Sequence, residues 1–200
     1  MRNTIALIAL GLAASLPSYA GAPAKAPAPI APPKEEVRRA IAYDFVEAGY
    51  ASILSNDAGD FYGGYLNLSW SPVNNLYVFG RIYGFGGDGS GLDFSAGVGA
   101  YVPLFNNVDW LVEGGYSYFD LDDGSESAGF VSTGFRAMVL PKLELNGNVT
   151  VTFPEAGDTS VAVGGGFVYY INTNVGVTAG YYYDLEDESH FYQAGLRYIW

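Results

Sequence analysis

The chain has 200 residues, of which 50% are hydrophobic and only 15% are charged, and it contains 27 glycines, 17 tyrosines and no cysteine. An average soluble domain carries about 25% charged residues, so this composition favours a protein whose outer surface contacts lipid. The lack of cysteine excludes disulfides, thiolate metal sites and cysteine nucleophiles. Nine basic residues against 21 acidic ones give a net charge of −12. This balance argues against a nucleic-acid partner, because phosphate binding requires Lys and Arg.

Residues 1–20 have the features of a secretory signal peptide. Arg2 precedes an apolar stretch over 4–16, and Ser18 and Ala20 supply the small residues of a cleavage site. The apolar stretch is shorter than the roughly 18 residues of a spanning helix. We therefore expect export across the inner membrane, with an uncleaved membrane anchor as the alternative.

Residues 21–41 are predicted to form a periplasmic linker. The first part of this segment is rich in Ala and Pro, which favours an extended spacer without a packed core. The final residues, 35–41, are compatible with one or two helical turns or with a disordered leader. The third segment, 42–200, is predicted to be a β-barrel for the following reasons.

From residue 42 onward the sequence alternates with a period of two. In one segment Leu143, Leu145, Val149 and Val151 alternate with polar residues such as Asn148. Such alternation is typical of strands with one apolar face, and about 9 to 11 residues suffice for a tilted strand to cross a bilayer. Ten strands are predicted, with eight as the alternative, and they span 42–53, 60–71, 75–85, 91–103, 108–119, 128–140, 142–153, 159–170, 174–184 and 189–200.

The connections between these strands alternate in character, which indicates an up-and-down topology. Tight turns are predicted at 72–74, 104–107, 141 and 171–173. Acidic, Gly-rich loops are predicted at 55–59, 86–90, 120–127, 154–158 and 185–188. Short periplasmic turns and longer outer loops are typical of outer-membrane barrels. The predicted fold is thus all-β, a closed antiparallel up-and-down transmembrane β-barrel with both termini at the periplasmic rim.

The apolar face of the strands is predicted to contact outer-membrane lipid. In a soluble sandwich this face would turn inward, and periodicity alone does not separate the two folds. The signal peptide and the Gly, Ser, Thr, Asn and Tyr content of the other face favour a barrel with a polar lumen. The terminal strand ends on Trp200 and resembles the C-terminal signal recognised by the barrel-assembly machinery, although Phe is the usual last residue. The cell outer membrane is therefore the predicted location.

Two short segments carry a resemblance to a known family. Phe45–Tyr50 reads FVEAGY and is followed by an acidic loop, and Leu76–Gly80 reads LYVFG within Gly-rich strands. These segments resemble small outer-membrane β-barrel proteins of the Ax21-like family. The resemblance covers roughly 43–200 and is strongest up to Phe119. It implies an outer-membrane barrel, and it implies no particular activity or site residue.

Six charged residues on the inward faces are predicted to form a luminal ion-pair network. Unpaired charges in a narrow lumen are costly, so opposite charges should pair. The parity of the strands places Arg136 between Glu113 and Glu144, and Arg197 beside Glu47. The network is interpreted as closing the barrel, and an ion-selective constriction is the alternative. Its members are Glu47, Arg81, Glu113, Arg136, Glu144 and Arg197.

Aromatic residues are predicted to lie at both membrane interfaces. The three tryptophans fall on the lipid-facing parity near the short turns, where an amphipathic ring suits the headgroup level. They are Trp70, Trp110 and Trp200. A second girdle near the loops is predicted from Tyr50, Tyr62, Tyr116, Tyr118, Tyr183 and Tyr192.

The acidic loops are interpreted mainly as a solvated rim. Weak binding of calcium or magnesium by Asp120, Asp122 and Asp123 is the alternative, because hard divalent cations prefer oxygen ligands. Gly124 stands one position too early for an EF-hand loop. No cofactor is predicted, and the predicted partners are outer-membrane lipid, the assembly machinery and divalent cations.

Catalysis is not predicted. Ser189, His190 and nearby aspartates have the residue types of a hydrolase, but adjacent strand residues point to opposite faces and do not form a nucleophile–base pair. The predicted function is an integral outer-membrane barrel with a plugged, ion-paired lumen and acidic extracellular loops, in a structural or interaction role. The alternative is a small porin-like channel for ions or small polar solutes.

Overall fold

The computed structural model describes residues 41–55, 59–87, 89–121 and 124–200. The predicted signal peptide, the linker up to residue 40, and the acidic residues Asp57, Asp88, Asp122 and Asp123 lie outside these ranges. Within the described residues, no helix has the length and apolar character needed to cross a membrane.

Ten antiparallel strands form a closed barrel. Each strand pairs with its neighbours along the chain, and the first strand pairs with the last through ten residue pairs from Phe45↔Ile199 to Leu54↔His190. The prediction of a closed ten-strand barrel is confirmed, and the eight-strand alternative is wrong. The strands are β1 Phe45–Ser55, β2 Gly59–Val73, β3 Leu76–Gly87, β4 Gly91–Phe105, β5 Val108–Leu121, β6 Gly124–Leu140, β7 Leu143–Pro154, β8 Ser160–Tyr170, β9 Val175–Asp184 and β10 His190–Ile199.

The two ends of the barrel are named here by their connections. The turn end carries the β2–β3, β4–β5, β6–β7 and β8–β9 connections together with the C-terminus, and the loop end carries the other five connections. The connections are two to four residues long at the turn end and two to five at the loop end. The ends therefore differ in loop length less than the sequence predicts.

The predicted loop over 120–127 is largely strand. Phe119 pairs with Glu126 and Asp120 pairs with Ser125, so β5 and β6 continue as a hairpin beyond the predicted strand ends. The Gly, Ser and Asp content of this stretch resembles a loop in sequence. Each added pair nevertheless satisfies backbone groups by extending a ladder that is already formed, and the tertiary context overrides the local preference.

The alternation of the strands separates an apolar exterior from a mixed polar and aromatic lumen. On β2, Leu66 and Leu68 are 45% and 50% exposed, whereas Tyr65 and Ser69 on the opposite face are buried. Other strands add exposed apolar residues to the same exterior, among them Val98, Phe135, Val149, Phe167 and Leu196. Exposed apolar surface of this extent is favourable against lipid and unfavourable against water.

Inward-facing glycines make room for aromatic rings in the lumen. A Cβ placed on Gly99 of β4 would collide with the ring of Tyr77, and one on Gly164 of β8 would collide with the ring of Tyr182. The rings on one strand therefore lie across the backbone of the next. For this reason Tyr77 on β3 reaches across β4 to residues on β5.

Candidate functional site

A layer of ion pairs crosses the lumen toward the turn end. Arg197 Nη2 lies 2.7 Å from Glu47 Oε2, and Arg136 Nε lies 2.8 Å from Glu144 Oε1. Arg197 Nη1 also reaches Glu144 Oε1 at 3.5 Å. The four residues thus form one chain of contacts from β1 through β10 and β7 to β6.

The remaining two residues of the predicted network form a separate pair that joins β3 to β5. Arg81 Nη2 lies 2.9 Å from Glu113 Oε2, and Arg81 also places its guanidinium carbon 4.4 Å from the centre of the Phe79 ring. The structure therefore brings all six predicted charges into the lumen and joins them in two groups. We call these six residues the charge layer.

Each glutamate of the charge layer also accepts a hydrogen bond from a tyrosine hydroxyl. Tyr65 Oη donates to Glu47 at 3.0 Å, Tyr77 Oη donates to Glu113 at 2.8 Å and Tyr170 Oη donates to Glu144 at 2.8 Å. Burial of a carboxylate is tolerated when its oxygens are satisfied in this way. These tyrosine donors were not predicted from the sequence. The sequence feature that could have indicated this role is that Tyr65 and Tyr77 occupy inward-facing positions on strands near the glutamates.

The prediction that Arg136 lies between Glu113 and Glu144 is right for Glu144 and wrong for Glu113. The register of β5 against β6 places Arg136 opposite Asp109, and it places Glu113 opposite Ser132. Glu113 instead binds Arg81 from β3, across the small residues of β4. Distance from a strand end does not give register, because adjacent strand ends are staggered in a tilted barrel.

The segment before β1 enters the lumen at the turn end. Tyr43 stacks on Tyr101 with ring centres 4.0 Å apart, and its hydroxyl donates to Asp109 Oδ2 at 2.8 Å. The Arg136 guanidinium carbon lies 4.7 Å from the centre of the Tyr43 ring. Ile41 packs against both buried apolar clusters, one around Tyr43 and one of residues from β6, β8 and β10. The first strand is predicted to begin at residue 42. In the structure β1 begins at Phe45, and the residues before it fill the turn end of the barrel.

A cavity of about 420 Å³ lies in the lumen, where it borders the charge layer and Tyr43. It is bordered on one side by aromatic residues and on the other by small and polar ones, and it extends to Asp184 and Ser189 at the loop end. The polar wall contains a hydrogen-bonded group in which Asn148 and Thr150 both contact the Ser132 hydroxyl. Among the described residues, the cavity therefore extends from the turn-end segment and the charge layer to the loop end.

The predicted girdle tryptophans lie on the outer face near the turn end. Trp70, Trp110 and Trp200 are each about half exposed, and Trp110 Nε1 donates to Thr133 Oγ1 at 2.9 Å. Tyr50, Tyr62, Tyr116, Tyr118 and Tyr192 are exposed on the outer face nearer the loop end. The structure thus places aromatic residues of the exterior near both ends.

The other candidate residues within the described ranges do not form a site, and Asp122 and Asp123 lie outside these ranges. Asp120 is exposed, and within the described ranges there is no group of three His, Cys, Asp or Glu residues that could hold a metal ion. Ser189 borders the luminal cavity, whereas His190 contacts the hydroxyl of Tyr181 through Nδ1 at 2.9 Å. Ser189 and His190 thus lie on opposite faces of the barrel wall, as adjacent residues of an extended segment do.

Comparisons with known proteins were made at the level of sequence and of structure. No family model matches the sequence, and no curated protein matches it. The translocator domain of the autotransporter NalP from Neisseria meningitidis is 14% identical with a TM-score of 0.53, over 82% of this chain and 90% of that domain. The β domain of the Bordetella autotransporter BrkA is 13% identical with a TM-score of 0.51, over 78% of this chain and 98% of that domain.

These two likenesses concern the fold. Together with the closed ladder and the apolar exterior, they identify the chain as a transmembrane β-barrel of the outer-membrane type. A barrel of this type, whose backbone groups are satisfied within the closed sheet, lies in the outer membrane.

Proposed function

We propose that the protein is an outer-membrane barrel with a closed lumen, and that it acts in a structural or interaction role through its acidic loop end. The observation that carries this proposal is Glu144, which is 0% exposed and accepts from Arg136, Arg197 and Tyr170 at the centre of the charge layer. An ion crossing this layer must separate these partners. Breaking a buried pair costs about 3 to 5 kcal/mol, which opposes a permanently open path.

Tyr43 adds a second closure below the charge layer. Its stacking on Tyr101 and its hydrogen bond to Asp109 connect the segment before β1 to β4 and β5. The Tyr43 ring also contacts the guanidinium of Arg136, so the two closures pack against each other. This supports a sealed turn end over an ion-selective constriction.

The distribution of charge supports an interaction role for the loop end. Its exposed acidic residues include Asp60, Asp120, Glu126, Glu155, Asp158, Glu186, Asp187 and Glu188. The basic residues of the described ranges lie instead in the lumen or at the turn end, and they are Arg81, Arg136, Lys142 and Arg197. An acidic surface of this kind favours cationic partners, including divalent cations that bridge to lipid headgroups.

A small porin-like channel is the second candidate, and the luminal cavity of about 420 Å³ favours it. The two functions differ in conductance. Under the closed-lumen proposal, the purified full-length protein in a planar bilayer carries no steady current. A steady open-state current from the unmodified protein rejects the proposal and supports the channel.

Tyr43→Ala extends the same experiment to the turn-end closure. The variant removes the ring that stacks on Tyr101, so we expect brief current steps that the unmodified protein lacks. Tyr198→Ala is the matched control, because Tyr198 is exposed on the outer face of β10. Equal currents from the two variants would show that Tyr43 does not contribute to closure.

A further inference from the structure

The hollow part of the lumen has the form of a cup. Its floor is formed by Tyr43 and by the charge layer, all of whose members except Glu144 border the cavity, and its wall reaches Asp184 and Ser189 at the loop end. A solute that enters from the loop end therefore meets a filled floor. Such a space is suited to binding a small molecule, since concave pockets of about 300 to 1,000 Å³ are typical of ligand sites.

One wall of the cup is aromatic. Tyr83 and Phe85 on β3 are parallel with ring centres 5.9 Å apart, and Phe191 on β10 contacts Tyr83 edge-on at 5.4 Å. Tyr182 on β9 contacts Phe191 in the same manner at 5.8 Å. All four residues border the cavity. Faces of aromatic rings carry negative potential and attract cations.

A partly buried carboxylate lies next to this wall. Asp93 on β4 pairs in register with Tyr83 and borders the cavity. Its Oδ1 atom is buried and has no hydrogen-bond partner among the described residues. The arginine of the same lumen region, Arg81, is paired with Glu113 instead. A buried polar atom without a partner is costly, so a ligand that supplies a positive group would be favoured at this point.

The charge around the cup selects the sign of the ligand. Asp93 and Asp184 border its upper part, and exposed acidic residues surround the loop end. Arg81, Arg136 and Arg197 also border the cavity, but each forms an ion pair with a glutamate, so the lining charges outside these ion pairs are negative and attract cations. The aromatic wall offers ring faces and only two hydroxyl oxygens, those of Tyr83 and Tyr182, so it suits a cation that carries alkyl groups better than a metal ion, which prefers a shell of oxygens.

We propose that the upper lumen binds a small organic cation of the ammonium class, with its charge at Asp93 and its alkyl groups against Tyr83, Phe85, Tyr182 and Phe191. The proposal goes beyond the closed-barrel function, because a cup binds such a ligand whether or not the floor conducts ions.

The test is calorimetric titration of the full-length, detergent-folded protein with choline. We expect saturable binding of choline and none of 3,3-dimethylbutan-1-ol, which has the same shape without the charge. Calcium chloride and sodium chloride are titrated in parallel. Saturable binding of calcium without choline, or no saturable binding of choline, would overturn the proposal in favour of a metal site or of no site.

Two variants locate the ligand. Asp93→Asn keeps the size of the side chain and removes its charge, so choline affinity should fall at least about tenfold, as expected for loss of a desolvated charge contact. Asp158→Asn, at an exposed loop-end residue, is the matched control and should bind as the unmodified protein does. Unchanged affinity in Asp93→Asn would reject the site.

Phe191→Leu keeps an apolar side chain and removes one ring, and it provides an independent variant if Asp93→Asn fails to fold. We expect weaker choline binding from this variant, and unchanged binding would reject the aromatic contact. Conductance is recorded on the same preparations. A conducting protein that binds choline would refute the closed lumen and leave the cation site standing, so the two failures are distinguishable.

Discussion

Arg197 on the last strand lies directly opposite Glu47 on the first, with 2.7 Å between Nη2 and Oε2. The two residues are 150 positions apart in the sequence, and their contact forms only when β10 closes on β1. The same guanidinium reaches Glu144 on β7 at 3.5 Å. The seam of the barrel is therefore joined to the far wall through one arginine.

Arg197→Ala is expected to destabilise the closed barrel. The change removes the ion pair of Glu47, which keeps the hydrogen bond from the Tyr65 hydroxyl. Breaking a buried ion pair costs about 3 to 5 kcal/mol. The measurement is the urea midpoint of unfolding in detergent. Lys142→Ala, at an exposed basic residue of the turn end, is the control and should unfold near the unmodified midpoint. Equal midpoints for both variants would contradict a stabilising role for the seam contact.

Gly99→Ala is expected to displace the Tyr77 ring. The added methyl group occupies the space of that ring, so the hydrogen bond from Tyr77 to Glu113 should lengthen or break. Overpacking of this kind costs about 1 to 3 kcal/mol, which a urea unfolding curve resolves. Gly84→Ala is the matched control because nothing lies within 4 Å of its added Cβ. A larger effect from Gly84→Ala than from Gly99→Ala would contradict the packing described here.

The orientation of the barrel predicts which connections are accessible on intact cells. An epitope inserted at Gly157, which is exposed in the β7–β8 connection, should bind antibody without permeabilisation. The same epitope at Pro141, in the β6–β7 connection, should bind only after the outer membrane is opened. Surface binding at Pro141 and none at Gly157 would reverse the orientation.

The terminal aromatic residue is expected to matter for assembly. Trp200→Ala removes a ring from the turn-end exterior, where aromatic side chains favour the membrane interface, so the yield of folded protein in the outer membrane should fall. Trp200→Phe keeps an aromatic terminus and should assemble normally. The measurement is the fraction of heat-modifiable protein in membrane extracts. An equal fraction for Ala and Phe would show that the terminal ring is not part of the assembly signal.

Much of the candidate site was predictable from parity. A strand alternates its side chains between two faces, so the inward position of Glu47 or Arg197 follows from its place among apolar neighbours. The partner of Glu113 was not predictable, because Arg81 reaches it across β4 and the sequence does not contain the stagger of the strands. The role of Tyr43 was also missed, since a residue before a strand carries no periodic signal.

The sequence by itself favoured ten strands over eight, and it determined the face that each strand turns outward and the order in which the strands pair. These features follow from local alternation and from short connections, which leave neighbouring strands few alternatives. Only the tertiary structure decided which charges meet, how far the β5–β6 hairpin extends and what fills the turn end. The physical reason is that these contacts depend on register and on ring packing over glycines such as Gly99, and both are set when the sheet closes on itself.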